Sequence, residues 1–197
     1  MNINEIKEYI LNQGSDCTNT FGGRYQGGIF LQQNPDEISQ VLSYIIENKY
    51  KTESMLEVGS ASGANSKVFC EILGIKDLFI VDNNLHSRHV CRPENLAKIN
   101  YKEYVGDSQT KEASDWLLSF NKKFDIVYID ADHSYQGVKN DVNNYLQFVK
   151  DDGLMLFHDS MCCEGVYRLI EEYKNIKLKE IFSSKIRCGI TICSKIV

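Results

Sequence analysis

The sequence predicts an α/β protein built on a doubly wound, mostly parallel sheet of seven strands. Three observations lead there. Short apolar runs alternate with helical patterns from residue 54 onward, several of those runs end in Asp or Gly, and two strand-like segments close the chain with little between them. Strands separated by helices need crossover connections, which pair them in parallel.

Taken in order, Ile3, Ile6 and Ile10 recur at helical spacing. The glycine-rich stretch 14–30 reads as a loop, with Phe21, Arg24, Tyr25 and Phe30 either forming a lid or packing the first helix. A second helix starts near Pro35 and presents Ile38, Val41, Leu42, Ile45 and Ile46 on one face. Strands are expected at 54–58, 78–82, 101–105, 124–130 and 154–159. Helices fill the gaps: 64–73, a weaker one at 90–99 opened by Pro93, one through Ala113–Phe120, and one through Val138, Val142, Tyr145 and Val149. After a last helix through Val166, Leu169, Ile170 and Tyr173, the runs KLKEIFSS and RCGITICSKIV predict an antiparallel hairpin at the sheet edge. No composition break divides the 197 residues, so one domain is expected, with residues 1–50 as a helical and lid segment and 51–197 as the ligand-binding core.

Composition narrows the function classes. A net charge of −5 supplies no basic field for a phosphate backbone, so nucleic acid is not the expected partner. No run of about 18 apolar residues exists to span a membrane. Seven scattered cysteines, odd in number and without a Cys-x-x-Cys pair, together with a polar N-terminus, predict reduced thiols and a cytoplasmic setting. A small-molecule substrate is the expected partner, and a homodimer through the N-terminal helices remains open.

Ligands of open α/β sheets bind beyond the carboxyl ends of the strands, at the switch in strand order. The first strand ends Glu57-Val58-Gly59-Ser60-Ala61-Ser62-Gly63, a tight turn that lets a ligand approach backbone. It is not the G-x-G-x-x-G of a dinucleotide fold, and Glu57 suits a cationic amine better than a pyrophosphate. The second strand ends Asp82-Asn83, with Asp82 lying 23 residues past Gly59, where an acid commonly meets ribose hydroxyls. Asp and Asn are also favoured helix caps, which is the competing role for this pair and for Asp107-Ser108 after the third strand. The fourth and fifth strands end Asp130-Ala131-Asp132-His133 and His158-Asp159. Acids gathered at one focus repel each other unless a cation or proton intervenes, so a metal or an acid–base role is expected there. The cluster His86, His89 and Cys91 fits no zinc spacing and reads as a surface helix or substrate loop.

Together these strand ends resemble class I S-adenosylmethionine-dependent methyltransferases. Glu57-Val-Gly59-Ser60-Ala-Ser-Gly63 resembles that family's first motif, Asp82 its ribose acid and Gly106-Asp107-Ser108 its adenine-side motif, while residues 52–195 follow its order of strands and helices. Within the class, DIVYIDADHSYQGVKNDV and DGLMLFHD, with the upstream FLQQNPDE, resemble small bacterial methyltransferases related to cephalosporin hydroxylase-like and sugar O-methyltransferase-like proteins, and more distantly the catechol and caffeoyl-CoA types.

The resemblance implies a Rossmann-like methyltransferase fold and S-adenosyl-L-methionine as cofactor. It assigns cofactor contacts to Glu57, Gly59, Ser60, Gly63, Asn65, Asp82, Asn83, Asp107, Ser108, Asp130 and Asp132. It implies a divalent metal, Mg2+, Mn2+ or similar, at Asp130, His158 and Asp159, although the catechol type has Asp-Asn where this chain has His158-Asp159. It places a general base at His133, beside Asp130. The expected reaction is methylation of a small-molecule hydroxyl, whose proton an imidazole of pKa about 6.5 can take near neutral pH. Two other readings stand beside it: a non-catalytic binder of the same cofactor, and a nucleotide-dependent oxidoreductase on a related sheet.

Overall fold

The computed structural model describes residues 1–13, 28–184 and 188–196. Phe21, Arg24 and Tyr25 of the expected lid lie outside the described residues. Helix α1 (Ile3–Asn12) opens on a reciprocal cap between Asn2 and Glu5, and α2 (Pro35–Glu47) opens on Asn34 with Pro35 in its first turn. There follow β1 (Ser54–Val58), α3 (Ala64–Leu73), β2 (Asp77–Asp82), α4 (Arg92–Asn95), β3 (Tyr101–Val105), α5 (Lys111–Leu118), β4 (Phe124–Ile129), α6 (Tyr135–Tyr145), β5 (Val149–His158), α7 (Glu164–Glu172), β6 (Ile176–Phe182) and β7 (Ile190–Lys195).

The sheet runs in the order β3-β2-β1-β4-β5-β7-β6, with the first five parallel. Every residue of β1 and β4 is buried, which fits central strands covered on both faces. One apolar layer packs Ile6, Ile38, Leu42 and Phe69 from α1, α2 and α3 against one face. The other packs Ala113, Val138, Val142, Val166 and Leu169 from α5, α6 and α7 against the opposite face. No helix among the described residues is long and apolar enough to cross a membrane.

Three sequence expectations need correction. The C-terminal strands do form an antiparallel pair, but β7 inserts between β5 and β6 and is antiparallel to both, so β6 runs the same way as the first five strands. Ile190, Ile192 and Cys193 are fully buried and need cover on both sides, whereas β6 exposes Lys177, Lys179 and Glu180 and so suits an edge. The helix expected to reach Val149 ends at Tyr145, and Val149 instead starts β5 opposite Phe124. Val149 continues the helical spacing of Val138, Val142 and Tyr145, so periodicity alone could not separate the two. The stretch 90–99 is a 3-10 turn over Ser87–Cys91 followed by the single turn of α4.

Two further carboxyl groups are buried, Asp125 at the start of β4 and Asp141 on α6. Asp125 Oδ2 accepts hydrogen bonds from Ser54 N at 2.9 Å and Ser54 Oγ at 2.8 Å, and Asp125 Oδ1 pairs with Lys150 Nζ at 2.7 Å, tying the starts of β1, β4 and β5 together. Asp141 on α6 accepts from Ser108 Oγ at 2.7 Å through Oδ1, while its buried Oδ2 has no partner. Burial, reinforced by Asp132 and Asp107 and only partly countered by the Ser108 bond, pushes the Asp141 carboxyl up to about 7.

Asp125→Ala should cost about 3 kcal/mol in urea unfolding, because Ser54 N and the Lys150 ammonium lose their partner. A cost below about 1 kcal/mol would show that the three strands do not depend on it. Asp141 gives a pH prediction. Its unfolded carboxyl ionises near 3.8 and its folded one near 7, so the folded state holds the proton longer. Its contribution is full at low pH and is lost as pH rises from about 4 to about 7. Asp141→Asn, which can still accept from Ser108, should remove that decline, and stability curves of the two proteins that ran parallel over this window would contradict it.

Candidate active site

The strand order reverses between β1 and β4, and a cavity of about 770 Å3 opens at their carboxyl ends. Three of the four parallel ladders extend one hydrogen bond past the strands: Gly59 N to Val81 O at 2.9 Å, Asp130 N to Val58 O at 2.8 Å and Gly106 N to Asp82 O at 3.0 Å. Gly59 has φ +82°, and a Cβ there would stand 2.2 Å from the Asp130 carbonyl oxygen. Only glycine lets the β1 turn pass this close to β4. Gly63, at φ +72°, begins α3 in a left-handed conformation and leaves room for the Arg92 and Leu96 side chains.

Asp82 organises this turn. Its Oδ2 accepts from Ser60 N at 2.7 Å and Ala61 N at 2.9 Å, and its Oδ1 accepts from Asn84 N at 2.7 Å. The Arg92 guanidinium, 2% exposed, lies 3.0 Å from Oδ1 and also pairs with Glu103. Burial alone would raise the Asp82 pKa, but Arg92 and the three N–H groups outweigh it and hold it below the usual carboxylate range. Asn83 beside it is exposed to the cavity, its Oδ1 accepting from Leu85 N at 2.9 Å.

Glu57 is 1% exposed, so its carboxylate stands behind the turn. It accepts from Ser60 Oγ at 2.5 Å, Asn65 Nδ2 at 2.6 Å and Ser66 Oγ at 2.6 Å. Burial raises its pKa to about 7 against these three bonds. The Asn65 Oδ1 that results is buried without a partner in the cavity wall, an acceptor suited to an ammonium group. At the β3 tip, Asp107 accepts from Gln109 N at 2.9 Å, and Ser108 turns its hydroxyl toward Asp141 rather than the cavity centre. Asp132 accepts from Ser134 N at 2.8 Å and Gln109 Nε2 at 3.1 Å on the exposed rim.

The far wall holds two carboxylates between two imidazoles. His133 Nε2 lies 3.3 Å from Asp130 and 3.4 Å from Asp159, and His158 Nδ1 lies 3.1 Å and 3.3 Å from the same two groups. Asp159 adopts φ +54°, a backbone region uncommon for a non-glycine residue, which turns its side chain into this array. The Asp130 hydrogen bond holds the His133 pKa up. Burial works against protonated His158, but Asp130 and Asp159 outweigh it and raise its pKa further. Burial would raise Asp159, yet His158 holds it down at about 2. Asp130 is lowered for the same reason.

The two imidazoles lie between the two carboxylates, which raises both histidine pKa values and lowers both carboxyl ones. Asp130, His158 and Asp159 also offer three donor atoms within 4.8 Å of one another, two oxygens and a nitrogen, a set that fits a divalent cation. The sequence expectation missed Gln33, which donates to Asp130 Oδ2 at 2.9 Å and accepts from Tyr128 OH at 2.8 Å. Its only signal was its place in the FLQQNPDE stretch. Arg92 carried no signal, since its partners Asp82 and Glu103 come together only through the fold. His86 lines the cavity rim, while His89 Nδ1 lies 2.8 Å from the His86 carbonyl within the 3-10 turn.

Among the described residues, the cavity lining has six acids, Glu57, Asp82, Asp107, Asp130, Asp132 and Asp159, and no lysine or arginine. Such a wall favours a cationic ligand and disfavours a pyrophosphate.

Comparison with known proteins agrees with this arrangement at the level of fold. An O-methyltransferase from Bacillus cereus, solved in complex with SAH, superposes with a TM-score of 0.62 at 13% identity, over 98% of this chain and 91% of that one. A proposed RNA methyltransferase from Pyrococcus horikoshii superposes with a TM-score of 0.63 at 17% identity, over 84% and 87%. An uncharacterised protein of Acanthamoeba polyphaga mimivirus is 27% identical over 133 residues, which span 59% of this chain and 58% of the viral one. Residues 56–160, from the middle of β1 to just past β5, match the family model described as a methyltransferase domain. That match takes in more than half of the sequence and every strand tip around the cavity, and the chain belongs to the methyltransferase-domain family.

Proposed function

We propose that this chain is an S-adenosylmethionine-dependent methyltransferase acting on a hydroxyl group of a small molecule. The observation that carries the reading is that one cavity joins the Gly59 turn and the β2 and β3 tips to the paired acids and imidazoles beyond them. Its volume is that of an ordinary small-molecule site. S-adenosylmethionine, when bound, supplies an electrophilic methyl group on a sulfonium.

In this reading the amino group of the cofactor meets Asn65 Oδ1, with Glu57 behind it fixing the amide. Its ribose lies at the β2 tip against Asp82 and Asn83, and its adenine edge lies near Asp107 and Ser108. Gly59, Ser60 and Gly63 let the turn backbone come close. Asp130 and Asp132 close the side toward β4. The lining acids favour the positively charged sulfonium over its neutral product.

His133 stands at the cavity wall with its Nε2 on Asp130, and it takes the hydroxyl proton as the acceptor oxygen attacks. Asp130, held by Gln33, orients the imidazole and stabilises the charge it gains. Asp130, His158 and Asp159 are the residues that would hold a divalent cation, Mg2+ or Mn2+, which would supply Lewis-acid polarisation of the acceptor. Fixing donor and acceptor in one cavity supplies much of the remaining acceleration.

The test is transfer of labelled methyl from S-adenosylmethionine to a panel of catechol, sugar and phenol acceptors. His133→Ala should lower the rate by roughly 100-fold or more while leaving cofactor affinity unchanged. Asp130→Asn should lower both. Full transfer by His133→Ala would remove that residue as the base. Cofactor binding with no transfer to any acceptor would favour a non-catalytic binder.

A further inference from the structure

The cavity lining also carries three thiols that the methyl-transfer reading does not use. Cys162 and Cys163 follow Asp159 in the turn between β5 and α7, and Cys188 lies two residues before β7. The carboxylate of Asp159 faces two ways. Its Oδ2 is shared by the two imidazoles, whereas its Oδ1 lies 3.2 Å from Cys162 Sγ. Asp159, Cys162 and Cys188 offer one ligand atom each, all within 4.8 Å of one another.

Backbone pairing holds the two segments together. Met161 N donates to Cys188 O at 2.9 Å, Ser160 N donates to Gly189 O at 3.3 Å, and Gly189 N donates to the buried Glu37 carboxylate on α2 at 3.0 Å. Gly189 has φ +78°, and a Cβ there would stand 2.4 Å from Met161 Cγ, so a larger residue would force the two segments apart. The backbone pairing of residues 160–161 with 188–189 therefore brings Cys162 and Cys188 together.

We propose that Asp159 Oδ1, Cys162 Sγ and Cys188 Sγ form a binding site for Zn2+, with its fourth position open to the cavity. Zinc–thiolate bonds of about 2.3 Å in a tetrahedron put neighbouring ligand atoms roughly 3.3–3.8 Å apart, so the donors need little movement to close on the ion. Two sulfurs and one oxygen select a borderline-soft cation over Mg2+ or Ca2+. Three protein ligands with an open position are the arrangement of catalytic rather than structural zinc. His133 and Cys163 form a separate group with Asp159, its three ligand atoms also within 4.8 Å of one another. The site shares Asp159 with the Asp130, His158 and Asp159 set but differs from it in chemistry, since that set has no sulfur. That the zinc would hold the methyl acceptor rests on the methyl-transfer reading; the metal site itself does not.

The experiment uses the full chain, kept reduced, freed of metal and titrated with Co2+ as a spectroscopic stand-in for Zn2+. The expected result is a thiolate-to-cobalt charge-transfer band that saturates at one ion per chain and is displaced by Zn2+. Cys162→Ser and Cys188→Ser should each abolish the band, and Cys91→Ser should keep it. Cys162 is exposed, so its variant keeps the test decisive if the buried Cys188 tolerates no change. An adenosylhomocysteine titration of Cys162→Ser should be unchanged, which separates failure of this site from failure of the cofactor site. No charge-transfer band, or one that survives both serine variants, would overturn the proposal and leave a network of thiol hydrogen bonds.

Discussion

The site depends on one buried carboxylate. Asp82 is 6% exposed and gathers three backbone N–H groups, two from the β1 turn and one from its own loop, while Arg92 balances its charge from α4. Without that anion the Ser60 and Ala61 amides would be unsatisfied donors at the edge of a cavity, and the turn would have no reason to hold its shape. Arg92 in turn is fixed by the Ala61 carbonyl at 3.0 Å and by Asn84 at 3.0 Å. Turn, strand end and helix therefore form one electrostatic unit, and its low carboxyl pKa keeps the charge in place at any ordinary pH.

The opposite wall solves a different problem. Asp130 and Asp159 would repel each other, and their approach is possible because His133 and His158 both lie between them. The array is held by the complementarity of its two acids and two imidazoles, each side shifting the other's pKa toward the charged form. Gln33 anchors the array from the segment before α2, so the N-terminal part of the chain contributes to the site through a side chain and not only through packing.

Much of this was legible in the sequence because the ligand-bearing positions of a parallel sheet sit at strand ends, and strand ends are readable from apolar runs. The residues from Glu57 to Gly63, Asp82, Asp107, Asp130, His133, His158 and Asp159 all line the one cavity or stand directly behind it. What escaped was whatever depends on three-dimensional return. Arg92 meets Asp82 only after α4 folds back. Cys188 meets Cys162 only because β7 inserts next to β5, an insertion hidden by the expectation of a simple edge hairpin. Side-chain direction escaped too: Glu57 and Ser108 sit at the predicted strand ends, but Glu57 is spent on the protein's own donors and Ser108 on Asp141. Val149 was misassigned because helix and strand share its phase with the preceding residues.

The central claim is that this acidic cavity holds a cationic nucleoside cofactor or its product and rejects a dinucleotide. Isothermal titration of the full chain with adenosylhomocysteine and, separately, with NAD tests it most directly. The account predicts saturable one-to-one binding of adenosylhomocysteine and no heat with NAD. Binding of NAD with none of adenosylhomocysteine would contradict it.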